Sequence, residues 1–185
     1  MERNKVVLVD IKDNTIGEME KLLAHQRGEL HRAFSVFIFN DKGELLLQQR
    51  AVNKYHGDGL WTNTCCSHPQ LGEDVTASAM ERLYDEMGIQ CHLKPVYSFI
   101  YNEPVENNLI EHELDYVFVG RTNQHPVLNK DEVKDYKWMP TDEILSDIDQ
   151  NPSHYTVWFK RIFPELLSRI NRGQHQCLVM HVDQI

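Results

Sequence analysis

The chain has 185 residues, of which 41% are hydrophobic and 25% are charged, and its net charge is −9. This length suits one domain, taken as residues 1–185, and the composition is not that of a disordered chain. The acidic balance disfavours nucleic acid and anionic membrane surfaces as partners, and no apolar run reaches the roughly 20 residues of a membrane span. We find no secretory signal near the N-terminus, which predicts a cytoplasmic location, and we expect a monomer by default.

The pattern of apolar and turn residues predicts strands followed by helices. Residues 6–9, 31–39 and 44–50 are predicted strands, with a turn at 40–43, and residues 61–65 form a short extended piece. Residues 74–87 predict a helix that ends at Gly88, and residues 96–101 and 111–119 predict further strands. Two helices follow, at 141–148 with Thr141 as the N-cap, and at 155–170 with a kink or restart at Pro164. This order predicts a mixed α+β or α/β fold in which helices sandwich a sheet.

The chain has four cysteines, namely Cys65, Cys66, Cys91 and Cys177, and they form no CxxC pair. A disulfide scaffold is not expected in a cytosolic chain of this length. Residues 62–69 read Thr-Asn-Thr-Cys-Cys-Ser-His-Pro, so Cys66 lies two residues before His68. A thiol near an imidazole is suited to nucleophilic, acid–base or metal-ligand chemistry. A loop with a buried structural cysteine and an exposed histidine explains the pattern equally well.

Two carboxylates flank a histidine in the predicted strand, as Glu111-His112-Glu113. Alternation places Glu111 and Glu113 on one face, and it places His112 on the other face, which carries more apolar residues and is therefore the expected core side. Paired carboxylates repel each other unless a proton or cation lies between them, and hard divalent cations bind such oxygens. Taken alone, the pair is better explained as a solvated acidic face.

Three histidines have a similar ambiguity. Taken one at a time, His25 and His31 are best explained as ordinary partly buried side chains, whereas for His68 an exposed loop residue and a functional residue explain the pattern equally well. Together with Glu111 and Glu113 they supply three imidazoles and two carboxylates, a ligand set that suits Mn²⁺ or Zn²⁺.

Basic residues provide the last candidate feature. Arg82 and Glu86 lie four apart on the predicted helix, which by itself indicates a surface ion pair. Arg82 can also join Lys21, Arg50 and Lys54 in a local basic patch, which a diphosphate would need in an acidic protein.

Together these segments resemble the type I isopentenyl-diphosphate Δ-isomerases, a branch of the Nudix superfamily. The resemblance extends from about residue 18 into the terminal helix, and its segments are residues 20–25, 30–35, 47–50, 61–69 and 111–116. Tyr101 and Trp158 also match the pattern of that family. The run at residues 62–69 is highly specific for that family. The Glu-x-Glu strand is a weak signal alone and becomes informative because it follows the other segments in the family's order. The resemblance implies a Nudix-like mixed β-sheet sandwiched by helices.

The generic Nudix hydrolase motif is degenerate in this chain. With Gly88 aligned to its last glycine, Ser67 replaces the first glycine and Glu73 matches the first glutamate. Residues 81–82 are Glu-Arg instead of Arg-Glu, and residues 85–86 are Asp-Glu instead of Glu-Glu. Of the acidic pair, only Glu86 remains a glutamate, which argues against diphosphate hydrolysis.

The resemblance implies conversion of isopentenyl diphosphate to dimethylallyl diphosphate by metal-assisted protonation and deprotonation. Glu113 would protonate the alkene with help from Tyr101, because a very weak base needs a strong, positioned acid. The aromatic face of Trp158 would stabilise the developing carbocation, although core packing explains this residue equally well. Cys66 would remove the second proton if the local field lowers its pKa.

The resemblance also implies the ligand sets. Mn²⁺ or Zn²⁺ would be bound by His25, His31, His68, Glu111 and Glu113. Glu86 would bind a Mg²⁺ that bridges to the diphosphate, and the diphosphate would contact Lys21, Arg50, Lys54 and Arg82. The family's thiol stands two residues before the histidine, which selects Cys66 and leaves Cys65 as a core residue.

Two alternatives from other classes remain open. The first is a Nudix diphosphate hydrolase, which would release inorganic phosphate or diphosphate. The second is a non-catalytic metal-binding module, which removal of the metal should unfold.

Overall fold

A computed structural model describes residues 3–52, 54 and 56–172, so Cys177 lies outside the described residues. The strands are β1 (Lys5–Val9), β2 (Thr15–Glu20), β3 (His31–Phe39), β4 (Leu45–Arg50), β5 (Trp61–Thr62), β6 (Cys65–Ser67), β7 (Leu93–Val105), β8 (Leu109–Arg121) and β9 (Val133–Met139). The helices are α1 (Lys21–Arg27), α2 (Val75–Met87), α3 (Thr141–Gln150) and α4 (Val157–Asn171). None of the helices in the described part of the chain has the length and apolar character of a membrane span.

The strands form one mixed sheet in which β3 has the most neighbours. Strand β3 pairs in parallel with β8 and antiparallel with β1, β4 and β6, while β7 pairs with β8 and β9 pairs with β4. The register places His31 beside Glu113, and it places Ser35 beside Cys66. Three segments that are distant in sequence therefore become neighbours at the N-terminal half of β3.

Helices cover both faces of this sheet. One face of β3 presents Phe34, Val36 and Ile38 to the buried stripe Ala79, Leu83 and Met87 of α2. The other face presents Phe37 and Phe39 to Phe159, Ile162, Phe163 and Leu166 of α4. The Asp74 side chain accepts a hydrogen bond from the Ala77 amide, which caps α2. The predicted arrangement of a mixed sheet between helices is confirmed.

Several predicted boundaries were wrong. Helix α3 does begin at Thr141, but its N-cap is Pro140 and no side chain bonds to the first amides, so Thr141 is not the cap. Helix α4 begins at Val157 because Tyr155 pairs with Trp61 in an isolated bridge. The helix does not restart at Pro164, which lies inside one continuous helix. The predicted extended piece at 61–65 is two separate strands, β5 and β6.

The left-handed cap at Gly88 gives a stability prediction. Gly88 has φ 67°, and a Cβ there would lie 2.8 Å from the Val127 Cβ and 2.9 Å from the Val127 carbonyl oxygen. Gly43 has φ 79°, and a Cβ there would have nothing within 4 Å. The backbone strain common to both substitutions costs about 1–2 kcal/mol, and overpacking against Val127 adds about 1–3 kcal/mol. Chemical denaturation should therefore show that Gly88→Ala loses clearly more stability than Gly43→Ala, and equal losses would contradict the predicted clash.

Candidate active site

A cavity of about 1000 Å³ opens beside β3, β6 and β8. Its walls contain most of the residues singled out from the sequence, namely Lys21, Arg50, Lys54, Cys66, His68, Arg82, Glu86, Tyr101, Glu111, Glu113 and Trp158. His25 and His31 are fully buried and lie directly behind the two glutamates of the cavity wall. The structure thus gathers all the predicted site residues into one region.

The backbone fixes the orientation of two imidazole rings. His25 lies on α1, where its Nδ1 is 2.6 Å from the Lys21 carbonyl oxygen. His31 begins β3, and its Nδ1 is 2.8 Å from the Glu29 carbonyl oxygen. A carbonyl oxygen only accepts, so Nδ1 carries the proton and donates in both rings. The Nε2 atoms therefore point away from the backbone and towards the glutamates.

These two nitrogens face carboxylate oxygens at short range. His25 Nε2 lies 3.3 Å from Glu111 Oε2, and His31 Nε2 lies 3.6 Å from Glu113 Oε1. Burial would lower the pKa of His25, but its hydrogen bond and charge interaction with Glu111 outweigh burial and raise that pKa. A lone pair that faces a carboxylate is repelled by it, so a positive charge must lie between them, either as a proton or as a cation.

His68 supplies the third imidazole from the end of β6. Its Nε2 lies 2.9 Å from Glu113 Oε1, and its ring centroid lies 5.0 Å from that of His31. Burial lowers the pKa of His68 to about 4, although Glu113 acts in the opposite direction. The ring is therefore neutral at physiological pH, which is the form that binds a metal.

The described residues thus contain a buried cluster of histidines and glutamates that can hold a metal ion. Ligand atoms of His25, His31, His68 and Glu113 all lie within 4.8 Å of one another. Glu111 belongs to a second, overlapping group with His25 and His56, whose ligand atoms also lie within 4.8 Å of one another. Because every donor is an imidazole nitrogen or a carboxylate oxygen, the set fits a divalent cation such as Mn²⁺ or Zn²⁺.

The two glutamates do not form a solvated acidic face. Glu111 and Glu113 are only 3% and 7% exposed, and Leu114 and Phe118 on the other face of β8 are buried as well. The face of His112 is a core side, as expected, but the expectation of a solvated acidic face was wrong, because helices and loops cover both faces of β8. Burial would raise the pKa of Glu111, but hydrogen bonds from His25 and His56 hold that pKa well below its usual value.

The pKa of Glu113 is also set by opposing effects, but its neighbours differ from those of Glu111. Burial and the charge of Glu111 would raise the pKa of Glu113, yet the neighbouring His31 and His68 hold it below its usual value. The Tyr101 hydroxyl donates to Glu113 Oε2 at 2.6 Å. Burial and the charge of Glu113 raise the pKa of Tyr101 well above its usual value, so the phenol stays protonated and remains a donor.

Cys66 faces Trp158 across the cavity wall. The Trp158 Nε1–H donates to Cys66 Sγ at 3.2 Å, and the thiol donates to Asn63 Oδ1 at 3.1 Å. Burial raises the pKa of the Cys66 thiol to about 12, although Arg50 acts in the opposite direction. The local field of the chain's own residues therefore does not lower the pKa of Cys66, although a thiolate base would require a lowered pKa.

The neighbouring thiol lies on the other face of the sheet. Cys65 is fully buried among the residues that pack against α2, whereas Cys66 packs on the α4 side. Alternation along an extended strand predicted this separation. Trp158 belongs both to the α4 core and to the cavity wall, so packing and a role in the site are compatible for this residue.

Four cations line the same cavity, namely Lys21, Arg50, Lys54 and Arg82. Burial and repulsion from Lys54 lower the pKa of Lys21. Within the described residues, the buried Nε atoms of Arg50 and Arg82 have no hydrogen-bond acceptor. Four cations that face one cavity repel each other, and buried N–H groups without an acceptor are unfavourable. An anion would relieve both effects, so the cavity is suited to bind one.

Carboxylates partly neutralise this patch. Glu86 is buried and accepts from Arg82 at 2.8 Å and from Gln48 Nε2 at 3.0 Å, so the pair is not an exposed surface contact. No motif singles out Glu132, which lies 2.5 Å from Lys54 Nζ and 3.4 Å from Arg82. His56 was also missed, because a histidine in a predicted loop does not by itself indicate burial.

The fold and the site together define a NUDIX-domain protein, and the family model of the NUDIX domain matches residues 29–159. The structure resembles that of the MutT protein from Methanosarcina mazei, with a TM-score of 0.61, 22% identity and coverage of 77% of this chain and 95% of the other. The isopentenyl-diphosphate Delta-isomerase 2 of Photorhabdus laumondii is 55% identical over 85% of this chain and 89% of its own. The isopentenyl-diphosphate Delta-isomerase of Pectobacterium atrosepticum is 48% identical over 90% and 93%. The chain therefore belongs to the isopentenyl-diphosphate Delta-isomerase family, as the sequence motifs predicted.

Proposed function

We propose that this chain converts isopentenyl diphosphate to dimethylallyl diphosphate by adding a proton at one end of the three-carbon alkene unit and removing one at the other. The observation that carries the proposal is a single cavity that joins a thiol, a hydrogen-bonded carboxylate and a cluster of cations. Relatives with 44–55% identity that carry the isomerase name support it. The degenerate Nudix motif agrees with it.

The diphosphate would bind where the cations converge. Arg50 and Arg82 have buried Nε–H groups without an acceptor among the described residues, and phosphate oxygens would accept from them. Lys21 and Lys54 would add point charges without a fixed hydrogen-bonding plane. Bound there, the diphosphate would also offset the mutual repulsion of these four groups, which face one cavity in a protein whose net charge is −9.

Cys66 and Glu113 would be the two proton-transfer groups. The family resemblance assigns Glu113 as the acid and Cys66 as the base. The chain's own residues favour the opposite protonation of this pair, because burial keeps the proton on Cys66 and the histidines keep it off Glu113. Isomerisation is reversible, so each group must act as acid in one direction and as base in the other. Substrate and ion binding would set which transfer comes first.

Two aromatic residues would assist this pair. Tyr101 would hold Glu113 through its 2.6 Å hydrogen bond, which fixes one carboxylate oxygen. Trp158 would orient Cys66 through its N–H, and its ring would stabilise positive charge on the substrate by about 2 kcal/mol when desolvated. The burial of this wall would protect a carbocation from water.

Two kinds of metal site would complete the enzyme. His25, His31, His68, Glu111 and Glu113 would hold Mn²⁺ or Zn²⁺, and Glu86 would hold a Mg²⁺ beside the diphosphate. Such ions supply fixed positive charge beside the acid and the phosphates. Each oxygen of Glu86 already accepts one hydrogen bond and keeps a second lone pair for an ion. A cytoplasmic location and a monomeric state remain predictions.

The function can be tested by NMR of isopentenyl diphosphate with the purified protein, Mg²⁺ and Mn²⁺ in D₂O. We expect dimethylallyl diphosphate to appear, with deuterium in the methyl group that receives the new proton. Release of inorganic phosphate or diphosphate in place of isomerisation would favour a Nudix hydrolase. Unchanged substrate with folded, metal-loaded protein would contradict both enzymatic proposals and favour a metal-binding module.

A further inference from the structure

A fourth histidine beside the two buried glutamates has no role in the scheme above. His56 lies in the loop between β4 and β5, is 5% exposed, and forms part of the cavity wall. Its Nε2 lies 2.9 Å from Glu111 Oε1. Among the described residues, four imidazoles therefore converge on the two buried glutamates instead of the three that the sequence predicted.

Each carboxylate oxygen of Glu111 faces a different imidazole ring. Oε1 faces His56 at 2.9 Å, and Oε2 faces His25 at 3.3 Å. An ionised carboxylate only accepts, so His56 Nε2 carries the proton and donates to Oε1. That bond leaves Oε2 directed at the nitrogen of His25 that points into the metal cluster.

The surrounding loop holds His56 in place. The Arg50 guanidinium donates to the His56 carbonyl oxygen at 3.2 Å, and the Gly57 amide donates to Glu106 Oε2 at 3.2 Å. The His56 ring meets Trp158 edge-on, with 5.6 Å between centroids. Gly57 has φ 60°, and a Cβ there would lie 3.2 Å from the Trp158 ring, so this close approach favours glycine. A ring fixed on several sides is suited to orient another group.

We propose that His56 is a positioning residue of the metal centre, which holds Glu111 through Oε1 so that Oε2 is presented to the ion beside His25. Metal-bound carboxylates commonly depend on such outer hydrogen bonds, and their loss lowers metal affinity about 10- to 100-fold. Direct ligation by His56 is the competing role, because His56, His25 and Glu111 form one of the two groups whose ligand atoms could hold an ion. His56 nevertheless lies outside the larger group, in which His25, His31, His68 and Glu113 meet, and it reaches that group only through Glu111 and His25.

Three variants test this role, namely His56→Ala, His56→Gln and, as a control in the same loop, the exposed Asp58→Ala. Mn²⁺ affinity is measured by competition with a chelator, and the Mn²⁺ environment by electron paramagnetic resonance. We expect His56→Ala to bind Mn²⁺ about 10- to 100-fold more weakly. His56→Gln keeps an N–H donor at similar reach, so its affinity should stay within a few-fold of the wild type, and Asp58→Ala should match the wild type.

Two results would overturn the proposal. Equal losses in His56→Ala and His56→Gln would make His56 a ligand, and unchanged affinity in both would leave it without a role at the metal. Circular dichroism of each variant separates these results from unfolding. The proposal rests on the metal site of the proposed function, but the affinity measurement needs no substrate. The proposal for His56 can therefore fail although isomerisation is confirmed, and it can be confirmed although no isomerisation is found.

Discussion

Replacing Cys66 with alanine should abolish isomerisation in a protein that still folds and still binds its metal ion. A positioned acid or base contributes about 10²–10⁴-fold to a proton transfer, so kcat should fall by at least that factor. Cys66 is half-buried and bonded through weak sulfur contacts to Thr62, Asn63 and Trp158, so its loss should cost little stability. The NMR assay in D₂O gives the rate, and metal analysis with circular dichroism gives the state of the protein.

The adjacent thiol is a matched control. Cys65→Ala removes a fully buried sulfur from the α2 side of the sheet, which should lower stability without changing the reacting groups. We expect its kcat to stay within a few-fold of the wild type. Normal turnover by Cys66→Ala would refute the assignment of the thiol. Complete inactivation of a well-folded Cys65→Ala would instead transfer the role to Cys65.

Replacing Glu113 with glutamine should have a still larger effect, with kcat reduced on the order of 10⁴-fold or more. Glutamine cannot exchange a proton with the substrate, and it removes a negative charge that faces His31 and His68 at 3.6 and 2.9 Å. Metal affinity should therefore fall together with kcat. Measuring kcat at saturating Mn²⁺ separates the two losses, because the loss due to the missing proton remains when the site is filled.

Tyr101→Phe provides the comparison for Glu113. It keeps the carboxylate and removes only the 2.6 Å hydrogen bond to Oε2. A hydrogen bond to a charged group contributes about 1.5–3 kcal/mol, so we expect a loss of roughly 10- to 100-fold. A Glu113→Gln enzyme that works as well as Tyr101→Phe would show that the carboxylate does not carry the proton.

The elements around the site were the most predictable part of the fold. Strands β3, β4 and β8 and helix α2 have buried, periodic apolar residues, and such periodicity is the strongest signal in a single sequence. Strand β2 was missed because it is largely exposed and its sequence, Thr-Ile-Gly-Glu-Met-Glu, lacks strand preference. Strand β9 was missed because it alternates charged and aromatic residues whose burial depends on pairing with β4.

The candidate site was predictable where a motif was distinctive and unpredictable where burial decided the outcome. Cys66 and His68 belong to a specific run of residues, and the structure places them in one cavity. The burial of Glu111 and Glu113 could not be read from the strand pattern, because it depends on α1 and on the loop that carries His56 covering their face. Glu132 was missed for a similar reason, since only the fold brings it to Lys54 and Arg82.

The parallel pairing of β3 with β8 has a consequence for how activity is acquired. His31 and Glu113 are neighbours in register although 82 residues separate them in the chain, and Cys66 reaches β3 from a third segment. Contacts between segments so far apart in sequence carry a large loop-closure cost and form slowly compared with local structure. An amino-terminal fragment that ends before β8 has no Glu113, however well its hairpins form. Recovery of catalysis after dilution from denaturant therefore reports completion of the central sheet, which the return of helical signal alone does not.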